Sequence, residues 1–164
     1  MTELSQNKKF LVGLISDTHG HLPAAVHRVF NNVDRIVHAG DIGDAAVMEE
    51  LRLIAPVVAV KGNMDWADWS RKLPATAILT IGNVRIGVIH DLSRRTDDFI
   101  SDECRVIIDG HTHRAQIVDK NGILHVNPGS AGQPRGSRPA SVALLRINGR
   151  QVQAELIQLE QMNR

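Results

Sequence analysis

One cysteine, no tyrosine and no long apolar run are what this chain of 164 residues conspicuously does without. Cys104 on its own can form neither an internal disulfide nor a thiolate zinc site, and its isolation points to a reducing compartment. Aromatic residues make up 3% of the chain, so a core has to be assembled from Val, Ile, Leu and Ala. The run Phe10 to Ile15 is far too short for a signal sequence or a membrane span. A formal charge of +1 creates no overall field that would argue for nucleic acid or a membrane surface as partner. The expectation is a soluble, cytoplasmic protein with no membrane partner. A polar, disordered lead over Met1 to Lys9 is expected to precede one domain over 10–164, a length that allows a single sizeable core.

What is present is a chain of short apolar runs that each stop at a polar residue. Phe10 to Ser16, Asp34 to Ala39 and Pro56 to Val60 read as buried strands. Between them, Leu22 to Phe30 and Ala45 to Ile54 carry helical spacing, and Asp44 is a candidate N-cap. This β-α-β-α-β order predicts a parallel sheet with right-handed crossovers. The second half is richer in strands, expected at Ala75–Ile81, Val84–His90, Arg105–Ile108, Ala115–Asp119, Ile123–Val126, Ser141–Ile147 and Val152–Leu159. Gly82-Asn83, Asn121-Gly122 and Asn148-Gly149 are turn pairs for hairpins. A further helix is expected near Asp97 to Glu103, and Gly132 to Pro139 as a polar loop. So many strands in so short a chain predict a sheet-on-sheet sandwich with helices outside.

The polar residues that end these strands are the chemical signal. Asp17-Thr-His19 follows the first strand, Gly40-Asp41 the second, and Gly62-Asn63-Met64-Asp65 the third. His90 ends the strand from Val84, and Asp109-Gly-His111-Thr-His113 follows the strand from Arg105. In open α/β sheets, sites assemble at the C-terminal ends of strands. Asp-x-His and His-x-His put two side chains on one side of an extended segment. A lone carboxylate such as Asp41 can bridge two cations at roughly 3.5–4 Å, the spacing used to clamp a phosphoryl displacement. Carboxylate, imidazole and amide without thiolate suit Mn, Fe, Zn, Co or Ni.

Each piece alone has an ordinary explanation. Gly-Asp and Gly-Asn after a strand are common turns. His38 and His125 inside strands and His27 on a helix read as structural, and His21 is ambiguous beside His19. Trp66 and Trp69 read as packing over the sheet or an oligomer contact, with a hydrophobic wall for the substrate as the alternative. Arg94, Arg95, Arg135 and Arg138 read as solvated loop cations unless a pair faces the rim. Cys104 reads as inert. It is the joint pattern, five strand ends supplying donors to one rim, that carries the metal-site reading.

Asp17-Thr-His19-Gly20, Gly40-Asp41, Gly62-Asn63, His90, Gly110-His111-Thr-His113 and Asn127-Pro-Gly-Ser130 together resemble the calcineurin-like metallophosphoesterase superfamily, and among its members the small bacterial and archaeal phosphodiesterases. The resemblance implies a four-layer αββα sandwich of two mixed sheets flanked by helices. It implies one metal held by Asp17, His19, Asp41 and His113, and a second held by Asp41, Asn63, His90 and His111. It further implies that Asp41 bridges the pair and that a bridging water or hydroxide is the nucleophile. Asp41, Asn63 and His90 are the candidates for direct catalytic roles, and two divalent cations, Mn first among them, are the expected cofactors. Asn127-Pro-Gly-Ser130 is expected to be a structural turn beside the site. Two departures stand out. Met64 occupies the place where many members have a His that helps protonate the leaving group, which leaves Asp65 to orient its neighbours. Asp91 follows the metal-binding His where the family usually has Gly.

The leading expectation is hydrolysis of a small, nucleotide-derived phosphodiester. A phosphomonoesterase acting on nucleotides or sugar phosphates is the second reading. The third is a protein-binding scaffold of the kind found in the retromer subunit that resembles this family. A homo-oligomer is compatible with the resemblance.

Overall fold

The computed structural model describes residues 8–101 and 103–159. Most of the expected lead, residues 1–7, therefore lies outside the described residues, whereas Lys9 opens the first strand.

Five strands form the first sheet: β1 (Lys9–Ile15), β2 (Arg35–His38), β3 (Val57–Ala59), β9 (Ser141–Asn148) and β10 (Gln151–Gln158). Their order is β10-β9-β1-β2-β3, with β1, β2 and β3 parallel and the β9–β10 hairpin antiparallel beside them. The second sheet contains β4 (Thr76–Ile81), β5 (Val84–Ile89), β6 (Val106–Ile108), β7 (Gln116–Lys120) and β8 (Ile123–Asn127), in the order β4-β5-β6-β8-β7. Here β5, β6 and β8 are parallel, and each edge strand pairs antiparallel with its neighbour. Both sheets are mixed, as expected.

Side chains sort by strand periodicity into three cores. Val12, Leu14, Val37, Ile86, Ile108, Val126 and Leu145 fill the space between the sheets. Val152, Ala154 and Leu156 of β10 pack against that layer, so the weak alternation of the last hairpin does point inward. On the outer side of the first sheet, Ile15, Phe30 and Ile36 meet Val26 of α1 (Ala25–Val29) and Val47, Met48 and Leu51 of α2 (Ala45–Ile54). On the outer side of the second sheet, Ile89 and Ile107 meet Phe99 of α3 (Asp97–Ser101) and Cys104. The layers run α, β, β, α, and the last is a single short helix. Cys104 is a buried apolar filler, in line with an inert role.

Helix ends follow their caps. The Asp44 carboxylate accepts from the Ala46 N–H at 2.9 Å, and α2 starts where that cap dictates. The expected helix from Leu22 shrinks to five residues, because Ala24 offers no side-chain cap and Phe30 already leaves helical geometry before Asn31-Asn32. α3 closes at Ser101 rather than Glu103, whose φ of 54° is not helical.

The three parallel strands of each sheet end at the same rim, since Gly110 N–H donates to the His90 carbonyl and His90 reaches Asn63 across the sandwich. We expect Leu145→Ala, in the inter-sheet core, to cost about 2–5 kcal/mol in chemical denaturation. Leu53→Ala should change stability by less than about 0.5 kcal/mol, because Leu53 is 86% exposed. Equal losses would mean that the sandwich interior is not the core.

Candidate metal centre

The seven candidate side chains converge on the rim. Asp17 Oδ1 lies 3.3 Å from His113 Nε2 and 3.7 Å from His19 Nε2, and the two imidazole nitrogens are 3.4 Å apart. Asp41 Oδ2 lies 3.7 Å from His19 Nε2 and 3.3 Å from His90 Nε2, between the two halves of the set. Asn63 Oδ1 is 3.0 Å from His90 Nε2 and 3.1 Å from His111 Nδ1. Two groups, Asp17–His19–His113 and Asp17–Asp41–His90, each bring ligand atoms within 4.8 Å of one another.

The backbone is bent to achieve this. Asp17, His19, Asp41, His111 and His113 have φ of 55°, 47°, 56°, 70° and 58°, in the left-handed region that L-residues avoid. They are five of the seven non-glycine residues with positive φ among those described. Strain concentrated this way marks a site whose surroundings over-determine it.

Those surroundings are explicit. Asp65, almost fully buried, accepts the N–H groups of Ile42, Gly43 and Gly62 at 3.0–3.1 Å, and so ties the loop after β3 to the loop after β2. Its role is orienting, as expected. The Ser16 hydroxyl and the His111 N–H both donate to Asp17 Oδ2. The Ser130 hydroxyl donates to the Asp17 carbonyl, and the Asn127 amide to the Gly110 carbonyl and to Thr112 Oγ1. The Asn127–Ser130 turn is thus a brace. At Gly62 a Cβ would overlap the Asp41 nitrogen and carboxylate, and at Gly110 it would overlap Ser16 Oγ, so the ligand loops close only on glycine.

Three features make the set fit divalent cations. First, Asp17 Oδ1 is buried without a hydrogen-bond partner among the described residues, an orphan acceptor aimed at His19 and His113. Second, His90 and His113 donate Nδ1–H to the carbonyls of Ala39 (2.8 Å) and Gln133 (3.1 Å), turning each Nε2 to the cage. Third, the donors are oxygen and nitrogen only.

His38 is not a ligand. Its Nδ1 accepts from Gly40 N–H, its Nε2–H donates to Thr18 Oγ1, and that hydroxyl donates to the Ile42 carbonyl. Burial pushes its pKa down to about 4. His27 pairs with Glu50 on the surface, His125 sits half-buried in β8, and exposed His21 joins neither ligand group. Asp109 also stays outside both groups, its carboxyl pushed up by burial to about 7. Trp69 packs against the helix-side core, whereas Trp66 is 77% exposed, so the packing expected of both holds for one. The Met64 side chain is half-exposed and its N–H donates to Asp41 Oδ1. Asp91 caps the 3-10 turn Leu92–Arg94 through Ser93 N and Oγ, and its other oxygen lies 3.7 Å from His111 Nε2.

Sequence reasoning did not find the two hollows that flank the rim. One of about 550 Å³ adjoins Asn63, His90 and His111, and Lys61 and Arg94 line it. The other, of about 560 Å³, adjoins His113, with Arg114 and Arg138 on its walls. The cue available in sequence was the cations' proximity to ligand segments. A larger hollow of about 730 Å³ opens beside Lys9, Asn148 and Gln151, and none of the candidate ligands lines it.

Charge is balanced within the cage. The contact with Asp17 raises the pKa of His19 against the effect of burial. Burial depresses His90, but the Asp41 contact and the charges of both carboxylates outweigh it and raise the pKa. Burial likewise raises Asp17 and Asp41, and their imidazole contacts and hydrogen bonds reverse this and hold both low. A proton held on His19 or His90 has to leave before that nitrogen can ligate. Affinity for Mn²⁺ should therefore be highest above the raised pKa values and fall as pH drops through them. Calorimetry of metal-free protein near pH 6.5, in buffers of different ionisation enthalpy, should register released protons; none released would refute this protonation of the cage. By contrast, the His38 ring should stay neutral, with its proton on Nε2, down to about pH 4 in an NMR titration.

The chain matches the calcineurin-like phosphoesterase superfamily domain over residues 10–150. A probable metallophosphoesterase of Methanocaldococcus jannaschii is 44% identical over 138 residues, 76% of this chain and 70% of that protein. A phosphodiesterase of Escherichia coli is 30% identical over 155 residues, 79% of this chain and 84% of that protein. In three dimensions, vacuolar protein sorting 29 of Cryptosporidium parvum shares the fold with a TM-score of 0.79 at 24% identity, covering 93% of this chain and 92% of that one. With that match across the domain, and with the superfamily's motif residues gathered at one rim, the chain belongs to the calcineurin-like phosphoesterase superfamily.

Proposed function

We propose that the protein hydrolyses phosphodiester bonds with two divalent cations, Mn first among the candidates. One is held by Asp17, His19, Asp41 and His113, the other by Asp41, Asn63, His90 and His111. The observation that carries this reading is Asp41, whose Oδ2 faces His19 on one side and His90 on the other within 3.7 Å. When bound, the cations supply an acidified water as nucleophile and positive charge for the phosphate oxygens.

The chain's own residues hold, orient and leave open. Asp17 and Asp41 stay ionised at neutral pH, which leaves Asp17 Oδ1 and Asp41 Oδ2, the oxygens not anchored by the fold, to hold the cations. The Asn63 side-chain carbonyl oxygen lies 3.0 Å from His90 Nε2, and the same amide's N–H is our candidate donor to a phosphate oxygen. The Ala39 and Gln133 carbonyls fix the His90 and His113 rings, so little reorganisation is needed when phosphate arrives. Hydrolysis adds the water oxygen to phosphorus and breaks the P–O bond to the alcohol, which leaves with a proton. The Met64 side chain cannot supply that proton, which calls either for an ester of an acidic alcohol or for another proton donor.

Protein stripped of metal and reloaded separately with Mn²⁺, Ni²⁺, Co²⁺, Zn²⁺ or Mg²⁺ should cleave bis-p-nitrophenyl phosphate faster than p-nitrophenyl phosphate. Asp41→Asn should lower kcat/KM by more than about 100-fold and reduce metal stoichiometry, since even outer partners of metal ligands are worth about 10–100-fold. Full activity in Asp41→Asn would sink the mechanism. A preference for the monoester would move the reading to a phosphomonoesterase.

A further inference from the structure

The two hollows flanking the rim have the same character. Next to Asn63, His90 and His111 are Lys61 and Arg94; next to His113 are Arg114 and Arg138. Each adjoins a different end of the ligand set, one beside the Asn63–His111 contact and the other beside the Asp17–His113 contact.

Acidic neighbours cancel these cations only in part. The first hollow has one carboxylate, Asp91, whose Oδ1 is taken by Ser93 N and Oγ. The free Oδ2 of Asp91 is shared between His111 Nε2 and Arg94 Nε, both at 3.7 Å, and cannot neutralise Lys61 as well. No carboxylate lines the second hollow among the described residues. A chain of net charge +1 therefore places paired cations on both sides of its metal ligands.

We propose, resting on the phosphodiesterase reading above, that the substrate is a linear phosphodiester with a negatively charged group on each of its two arms. The scissile phosphate lies on the ligand set, and the charged arms lie along Lys61–Arg94 on one side and Arg114–Arg138 on the other. A monoester has one arm and can use only one hollow. A diester of two neutral alcohols uses neither pair of cations. A short run of nucleotides, in which every internal phosphodiester has anionic neighbours, has the required chemistry.

The test uses full-length, Mn²⁺-loaded protein and four dinucleotides with the same scissile bond. These are thymidylyl-thymidine, its 5′-phosphorylated form, its 3′-phosphorylated form and the form phosphorylated at both ends. Cleavage of the internal bond, followed by chromatography, should rise about fivefold in kcat/KM with each terminal phosphate. That is the scale of partly exposed charge pairs acting two at a time, and added salt should shrink it. The double variant Lys61→Gln/Arg94→Gln should erase the gain from one terminal phosphate, and Arg114→Gln/Arg138→Gln the gain from the other. Metal stoichiometry of each variant, measured in parallel, identifies any loss due to folding.

Equal rates on all four dinucleotides, or variants that slow all four alike, would overturn the inference. Continued hydrolysis of bis-p-nitrophenyl phosphate in that case would leave the phosphodiesterase reading standing. Release of inorganic phosphate from the ends in place of internal cleavage, or no diester hydrolysis with any metal, would remove both.

Discussion

The rim of this sandwich depends on holding Asp17 ionised and buried. Its side chain has no exposure to solvent, which for an isolated carboxylate would be prohibitive. Oδ2 is satisfied by the Ser16 hydroxyl and the His111 N–H. Oδ1 has no hydrogen-bond donor among the described residues and faces two imidazoles. Half of the carboxylate is therefore anchored by the fold and half is offered to something positively charged. Because one of the anchoring groups is His111 N–H, 94 residues further along, the same bond stitches the first sheet's rim to the second's. Asp41 repeats the arrangement, with Oδ1 on Met64 N–H and Oδ2 turned between His19 and His90.

Such an arrangement is incompatible with relaxed strand-to-loop turns. Five candidate ligands adopt left-handed backbone geometry, each at a cost of about 1–3 kcal/mol, in a domain whose whole stability is expected to be about 5–15 kcal/mol. What holds them is polar bracing that itself touches no ligand atom of the cage: Asp65 on three backbone N–H groups, Ser130 on the Asp17 carbonyl, Asn127 on Gly110, and neutral His38 between Thr18 and Gly40. The apolar core supplies the stability that these distortions draw on, and the rim spends it on geometry. A cation in the cage would take over from protonated His19 and His90 in balancing the two carboxylates, so metal binding and rim order would favour one another.

Much of this was legible in the sequence because the signal was periodic. Apolar runs ending in Asp, Asn or His announced strand and site together, and Asn-Gly and Gly-Asn pairs announced the hairpins. Asp44 announced α2 through its capping chemistry. The short helix from Ala25 was overestimated, since apolar spacing extends past the point where caps permit a helix. Which sheet each late strand joins, and the crossover that seats β8 between β6 and β7, depends on long-range packing that local pattern does not encode. The positive φ values at aspartate and histidine left no trace either, because only glycine advertises that geometry in sequence. Trp66 and Trp69 looked alike three residues apart, yet one packs and the other is open, a distinction set by the 3-10 turn Asp68–Ser70.

On the charged-arm reading, a net charge of +1 says little about the substrate. A sum of +1 excludes a strong field at long range, but screening confines charge effects to about 8–10 Å in any case. At that range the relevant quantity is the local balance beside the ligand set. Lys61, Arg94, Arg114 and Arg138 come from four separate loops, and of these the sequence marked only Arg94 and Arg138, each as half of a loop pair. Asp91 tempers that balance on one side, where its Oδ2 lies 3.7 Å from both Arg94 Nε and His111 Nε2. On the same reading, selection by such a rim would rest on where charge falls along the substrate relative to the scissile phosphate more than on total charge.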